Sequence, residues 1–311
     1  MSTGKIKKSL FLCSLFTLTS FNANASEQKS LRETEVFTAS KNITYAFVTN
    51  YNTSPGSVSS CIVNKDGTLT NCVATAQGLP GYYRINFDDN NNAYITSVGT
   101  NSVSYCPVTY NGFLPACVAA GATGLSGAVG TVLYKNYAFI TSQIGNTINV
   151  CNQTPNGTLG NCRIAVSGMN VPEQIGIHNG FAYIPNIGNN TVSVCNINNS
   201  FVTNCATTGT GFNAPEQVAF NNNFAYVLNW NTSSVSLCNA NSDGTLANCN
   251  ITALGFAGPR GISFYNKYAY ITNMNDNTVS VCSIQDNGTL TDCGSTGYGF
   301  TSPSSIAIYT P

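Results

Sequence analysis

Apolar and polar residues alternate along most of this chain with a period of two, in short runs broken by Asn, Gly, Asp and Pro. That is the pattern of half-buried β-strands joined by tight turns, and no segment after the N-terminus carries a sustained helical period. One unit near the C-terminus shows the plan. "GISF" (261–264), "YAYIT" (268–272), "TVSVCSI" (278–284) and "TLTDC" (289–293) read as four successive strands. The unit recurs. "YAFVTN", "NAYITS", "YAFITS", "FAYIPN", "FAYVLN" and "YAYITN" carry alanines at Ala46, Ala93, Ala138, Ala182, Ala225 and Ala269, in steps of 43 to 47 residues. A repeat of ~40–45 residues built from four short strands is the period of a propeller blade.

A lone blade cannot cover its two faces, whereas blades arranged radially bury them against each other. The pattern therefore predicts an all-β protein, a six-bladed β-propeller of four-stranded antiparallel blades over residues 45–311. The first unit lacks its opening strand, and the chain ends on a surplus one, "SPSSIAIYTP". Residues 305–309 are thus expected to complete the blade of Ala46 and close the ring, which removes an open sheet edge.

The cysteines follow the repeat. One, Cys13, lies in the N-terminal segment, and the other twelve form six pairs: Cys61/Cys72, Cys106/Cys117, Cys151/Cys162, Cys195/Cys205, Cys238/Cys249 and Cys282/Cys293. Five pairs flank an Asn-Gly or Asp-Gly dipeptide, the signature of a two-residue hairpin turn with both residues at positive φ. Such a hairpin sets the two cysteines opposite one another, within disulfide reach. A glycine-bulge loop would shift that register by one. Zinc is the rival reading, but zinc sites favour CxxC knuckles and histidine. Here there is no knuckle, and His178 is the only histidine. One intra-blade disulfide per blade is the expectation.

The N-terminus changes the charge and the compartment. Lys5, Lys7 and Lys8 precede an apolar run, and "NANA" ends at Ala25, so residues 1–25 read as a signal peptide. Residues 26–44 form a leader segment. No later stretch has the ~18 apolar residues of a membrane helix. Removal of three lysines from a chain of 12 basic and 12 acidic residues leaves 9 against 12. Only 8% of residues are charged and none form a basic patch, which argues against nucleic acid as a partner. The expected product is an exported monomer, periplasmic or extracellular.

"YAYITNMNDNTVSVCSIQDNGTLTDC" (268–293) and "FAYIPNIGNNTVSVC" (181–195) resemble the YVTN-type β-propeller repeat, which belongs with the lactonase-like and NHL-like propellers. The resemblance spans roughly residues 45–309. It implies a propeller whose ligand sites form at the mouth of the central channel, in a group that includes surface proteins, binding scaffolds, lactonases and lyases. Fold likeness does not choose among them.

Inner strands line such a channel. A recurrent proline (Pro172, Pro215, Pro259) precedes each, and the residue after it should face the mouth: Ser304, Gly81, Val129, Glu173, Glu216 and Arg260. Glu173 and Glu216 are the only glutamates beyond the leader. Gln174 and Gln217 follow them. Two readings stand side by side: a duplicated Pro-Glu-Gln with Glu216 paired to Arg260, or a polar, cation-binding site with Arg260 holding an anion. A second ring, five residues past each alanine, comprises Tyr51, Val98, Gln143, Ile187, Trp230 and Met274. Trp230 is the only tryptophan and the best candidate for ligand or partner contact. Asn186 and Asn229 precede Ile187 and Trp230, where asparagine orients a ligand or caps a turn. Arg84 falls in an inner strand and needs a partner there. His178 is expected at the opposite face, exposed. Asp88 and Asp89 offer a weak calcium reading.

No GxSxG elbow is present, and a single histidine gives little scope for a Ser-His-Asp triad. The first reading is a binding or protein-interaction module for a protein or small polar ligand, with no cofactor. The resemblance supplies the alternative: a metal-dependent lactonase-like hydrolase or lyase, with Glu173, Glu216, Asn186 and Asn229 around a divalent cation that polarises a carbonyl and activates water.

Overall fold

In the computed structural model, which describes residues 43–311 apart from 54–55 and 78–80, the strands assort into six four-stranded sheets. The expected signal peptide and all but the last two residues of the leader lie outside the described residues. Each sheet is an antiparallel meander whose strands lie in sequence order, with one exception. The C-terminal strand Pro303–Tyr309 pairs with Thr44–Asn50 and so supplies the inner strand of blade 1. The ring is closed as the pattern predicts. The other inner strands are Tyr82–Phe87, Ala128–Tyr134, Gly176–His178, Pro215–Asn221 and Pro259–Tyr265, in blades 2 to 6.

The second strand of each blade is its most buried. Thr44–Asn50 is buried throughout, and in the other five only the first residue is partly exposed. These strands lie mid-blade and pack on both faces, which suits their mix of aromatic and β-branched residues. The repeat alanines are fully buried, and each pairs across the ladder with the first cysteine of its blade, as Ala46 does with Cys61 and Ala269 with Cys282. Paired residues project from the same face. A methyl group opposite the cystine leaves room for the sulfurs, which gives a physical reason for the alanine's recurrence.

All six expected disulfides are present: Cys61–Cys72, Cys106–Cys117, Cys151–Cys162, Cys195–Cys205, Cys238–Cys249 and Cys282–Cys293. Their Cα–Cα distances run from 4.0 Å at Cys61–Cys72 to 4.3 Å at Cys106–Cys117. The hairpins that carry them differ from the expected two-residue turn. Asn64 N–H donates to the Thr68 carbonyl, and Gly67 N–H to the Asn64 carbonyl. The loop therefore has three residues and ends in a glycine bulge. Gly67 alone in that loop has positive φ, at 86°. Asp66 instead accepts from the Thr68 amide and hydroxyl, at 3.0 and 2.7 Å. The shorter blade 4 hairpin turns through Asn199 and Ser200, between paired Asn198 and Phe201.

The simple one-to-one opposition expected of the cysteines is also corrected. In blade 4 the ladder passes from Val194 opposite Ala206 to Asn196 opposite Thr203, so Cys195 faces both Asn204 and Cys205. Cys238 likewise faces Asn248 and Cys249, and Cys282 faces Asp292 and Cys293. The outer strand carries one extra residue at each of these points, which is a β-bulge. The residue before the second cysteine takes up the bend. Asn71, Asn161, Asn204, Asn248 and Asp292 all have φ between 50° and 52°. The two halves of a cystine are buried unequally as a result. The first cysteine of each pair is buried to 1% exposure or less, whereas Cys249 is half-buried and Cys205 and Cys293 are exposed at the rim.

Turn glycines also knit blades together. A Cβ at Gly67, Gly112, Gly157, Gly244 or Gly288 would lie 2.0–2.8 Å from an aromatic ring of the preceding blade. Two buried tyrosines add hydrogen bonds to these turns, Tyr94 to the Gly157 carbonyl at 2.6 Å and Tyr226 to that of Gly288 at 2.7 Å. Among the described residues no helix is long and apolar enough to cross a membrane.

Candidate functional site

The inner strands place a layer of six residues around the axis at the mouth. Strand pairing identifies it: Pro303 opposes Asn50, Pro215 opposes Asn229 and Pro259 opposes Asn273, and the next residue in each strand belongs to the layer. Ser304, Val129, Glu173, Glu216 and Arg260 sit there as the spacing suggests. In blade 2 the member is Tyr83 and not Gly81, because Tyr82 opposes Ser97 and the register shifts before Ile85. The same shift sets Arg84 one residue further in, level with Ser305, Gly130, Gln174, Gln217 and Gly261. Gly176, Ala219 and Ser263 lie deeper, level with Asn86.

This second layer closes the channel. Arg84 is the largest fully buried side chain among the described residues. Its Nη2 lies 3.2 Å from Glu173 Oε2 and 3.0 Å from Glu216 Oε2, with both partners no more than 2% exposed. Nη1 donates to the carbonyls of Ser304, at 2.8 Å, and Arg260. Nη2 also reaches the Glu216 carbonyl at 3.3 Å. One planar fork thus ties together blades 1, 2, 4, 5 and 6, a task suited to guanidinium and not to ammonium. Gly130 and Gly261 let neighbouring inner strands approach at this level: a Cβ at Gly261 would stand 2.7 Å from Ser305 Cα, and one at Gly130 would stand 2.9 Å from Gln174 Cα.

Both carboxyls turn an Oε2 to the same Arg84 nitrogen and so stand close together. Burial raises the pKa of Glu173, and burial together with the Glu173 charge raises that of Glu216 well above the usual range. Like charges at this range do not both ionise readily in a dry site. Gln143 Nε2 donates to the remaining Glu173 oxygen.

Above the plug lies Arg260. Its Cζ stands 4.5 Å from the Trp230 ring centroid and 5.1 Å from that of Tyr83, so the cation is sandwiched between aromatic faces. Tyr51 packs edge-on against Tyr83 at 5.3 Å. Arg260 Nη2 is 3.6 Å from Glu216 Oε1, beyond hydrogen-bond length, and Nε has no partner. Among the described residues the Arg260 guanidinium donates no hydrogen bond. Burial pushes its pKa down to about 10, which leaves it charged at neutral pH. Of the mouth layer it alone is not buried, at 17% side-chain exposure.

The remaining candidates are placed as follows. Asn186 and Asn229 are buried, and each accepts from a backbone amide of the preceding loop and donates to serine hydroxyls of its own blade. They anchor the loop that delivers each inner strand. Gln217 is bonded through both amide atoms to Ile262 of the next blade. Gln174 donates to the Thr131 and Ile175 carbonyls. Asp88 accepts from the Asn90 and Asn92 amides and from Gln153 Nε2 at 2.7 Å, so its oxygens face protein donors. His178 is not exposed as expected: the end of its strand meets the next blade, where its ring stacks on Phe220 at 4.5 Å and burial lowers its pKa. Among the described residues no three His, Cys, Asp or Glu side chains converge as a metal-ligand set. The Glu173–Glu216 pair does not suit a divalent cation, because the Arg84 guanidinium occupies the position between them that an ion would take. The sequence flagged Arg84 as needing a partner, yet its bond to both glutamates was hidden by the register shift.

No protein-family model matches the chain. No curated protein matches it in sequence. Solved structures do match in shape. A chain of a nidogen/laminin complex aligns over 85% of this chain and 98% of its own, at 15% identity and TM-score 0.69. The periplasmic gluconolactonase of Pseudomonas aeruginosa aligns over 86% and 100%, at 11% identity and TM-score 0.63. Virginiamycin B lyase of Staphylococcus aureus aligns over 86% and 89%, at 14% identity and TM-score 0.56. At these identities the likeness is one of fold: all are similar to this chain as β-propellers.

Proposed function

We propose that the protein is an exported binding module that receives a carboxylate-bearing ligand at the mouth of its channel. The observation that carries this reading is Arg260: a cation with no hydrogen bond donated among the described residues, clamped by Trp230 and Tyr83 and 17% exposed where the rest of its layer is buried. A guanidinium so fixed offers a planar fork that a carboxylate matches. The aromatic walls would cover the ligand's apolar body. Six disulfides support residence in an oxidising compartment, and the 1–25 segment supports export. The recurring Tyr/Phe-Ala segments support placement with YVTN-type propellers.

The lactonase-like alternative has less support. A buried acid pair already held by Arg84 leaves neither Glu173 nor Glu216 directed at substrate, and Asn186 and Asn229 are engaged within their own blades. Trp230, the sole tryptophan, gives a direct test. Benzoate titrated into the purified protein should change Trp230 fluorescence saturably, and Arg260→Ala should weaken that binding at least tenfold. Equal affinity in wild type and variant, or no saturable change, would refute the reading.

A further inference from the structure

The mouth cation and the plug beneath it are one electrostatic unit. Arg84 Cζ and Arg260 Cζ each lie 5.1 Å from the centroid of the Tyr83 ring. Glu216 reaches both cations, with Oε2 at 3.0 Å from Arg84 Nη2 and Oε1 at 3.6 Å from Arg260 Nη2. Glu173 joins them through Arg84, at 3.2 Å. The side chains of Arg84, Glu173 and Glu216 are at most 2% exposed, so solvent ions screen little of what passes between them. The other groups beside the unit carry no fixed charge: Tyr83 and Tyr51 flank Arg260, and Gln143 holds the remaining Glu173 oxygen. Among the described residues the other cations stand elsewhere. Lys135 and Lys267 lie in turns between first and second strands, Lys65 in the blade 1 hairpin and Arg163 on an outer strand. Of the described aspartates, only Asp276 lies on a mouth-side loop, where it is exposed and accepts from Thr278.

Charge balance in this unit couples a ligand to a proton. With both carboxyls ionised, two anions offset two guanidiniums, and Arg260 is already answered by Glu216. A carboxylate arriving at Arg260 would then be a third anion against two cations, beside a buried charge of its own sign. With one proton on the acid pair, the unit keeps a single positive charge, and one carboxylate neutralises it. We propose that the mouth takes up its carboxylate together with one proton, the ligand on Arg260 and the proton on the Glu173–Glu216 pair beneath, so that the ligand is released as the pair ionises; this rests on the carboxylate reading of the mouth and gives that site its regulation. Burial already favours the protonated pair in the empty protein. A docked anion favours it further, and by reciprocity ionisation of the pair weakens the ligand by the same factor. Arg260, with its pKa at about 10, stays charged while the pair titrates below it.

Benzoate, which stays ionised throughout, is titrated into the purified protein at steps from pH 6 to pH 8.5 with Trp230 emission as the signal. Affinity should fall at least tenfold over that range, with a limiting slope of tenfold per pH unit for one proton. Glu216→Gln leaves Glu173 as the single acid against two cations and so fixes the positive charge; its affinity should stay level over the same range. Calorimetry on the wild type in buffers of different ionisation heat needs no variant: on the falling limb, binding should draw up to one proton from the buffer. Equal benzoate affinity at pH 6 and pH 8.5, the same fall in Glu216→Gln, or no proton drawn where affinity falls would each overturn the proposal and leave an Arg260-dependent carboxylate site standing. No saturable benzoate binding at any pH would instead remove the carboxylate site, and this proposal with it.

Discussion

Arg84 and Glu216 meet across the channel axis at 3.0 Å, from blades that are not neighbours, with side chains 0% and 2% exposed. The contact joins the ring through its centre, where the blade-to-blade packing around the circumference does not reach. Removal of one partner from a buried pair costs about 3–5 kcal/mol, because the other charge stays desolvated. Arg84→Ala should therefore lower stability by about that amount at neutral pH. In acid both glutamates are neutral, and the penalty should shrink. Urea unfolding of wild type and variant at pH 4 and pH 7.5 checks this. An equal loss at both values would mean that Arg84 acts through packing and backbone carbonyls instead of charge.

The acid pair itself makes stability depend on pH, with a definite sign. Glu173 and Glu216 have raised pKa values in the folded protein. Between the unfolded value of ~4.3 and the raised native values, the folded state binds more protons than the unfolded one. This contribution is complete below the unfolded value and is lost as pH rises through the native ones. Each unit of displacement is worth about 1.4 kcal/mol. Glu216→Gln mimics the protonated form, still accepts from Arg84 and cannot ionise. It should match wild type near pH 4, exceed it near pH 8 and flatten the profile between. A variant that loses stability equally across that range would show that Glu216 is held as a carboxylate.

The repeat, the cystine pairs and the ring closure were all legible in the sequence because each is encoded locally. Alanines recur every blade opposite a cysteine, turn glycines fall between cysteines, and the surplus strand at 305–309 has one vacant place to go. The bulges at Cys249 and Cys293 were less legible, because a three-residue loop and an outer-strand bulge together preserve the spacing that a plain hairpin would show. The plug was not legible, for a reason confined to blade 2. That blade has no proline at Tyr82, and its inner strand shifts register between Tyr82 and Ile85. Taking the residue after Pro80, as after Pro172, Pro215 and Pro259, gives Gly81 at the mouth and leaves Arg84 without a visible partner. One signal pointed the other way: a lone cation in one inner strand and the only two propeller glutamates in others must meet if the interior is to stay near neutral. Burial of the glutamates depends on how closely inner strands approach. Gln174 N–H reaches the Glu216 carbonyl of the next blade at 3.1 Å, a distance that no pattern of residues states.

Turn glycines serve both conformation and packing, and two positions separate the effects. Gly157 has φ 84°, and a Cβ there would fall 2.0 Å from the Tyr105 ring. Gly255 has φ 88° with nothing within 4 Å. Gly255→Ala should cost only the left-handed backbone penalty of about 1–2 kcal/mol. Gly157→Ala should cost clearly more, since the Tyr105 ring must move or the turn must open, and overpacking adds ~1–3 kcal/mol. Thermal unfolding of the two variants side by side measures the difference. Equal losses would show that the ring yields freely.

The disulfides should act separately, one per blade, since none joins two blades. Cys151–Cys162 closes a loop with a sequence separation of 11 residues. The chain-entropy relation assigns a loop of that size about 2–3 kcal/mol. The double variant Cys151→Ala/Cys162→Ala should lose that much and still fold, because hydrogen bonds across the Thr147–Gln153 and Leu159–Ser167 pair hold the hairpin without the bond. Blade 1 is a different case. Its inner strand comes from the far end of the chain, so Cys61–Cys72 stiffens the blade whose assembly seals the ring. Loss of Cys61–Cys72 should therefore also raise the proteolytic sensitivity of residues 303–311, whereas loss of Cys151–Cys162 should not. Limited proteolysis of the two double variants at matched stability, brought about by small differences in urea, checks the point. Equal release of the C-terminal strand from both would show that closure depends on global stability alone.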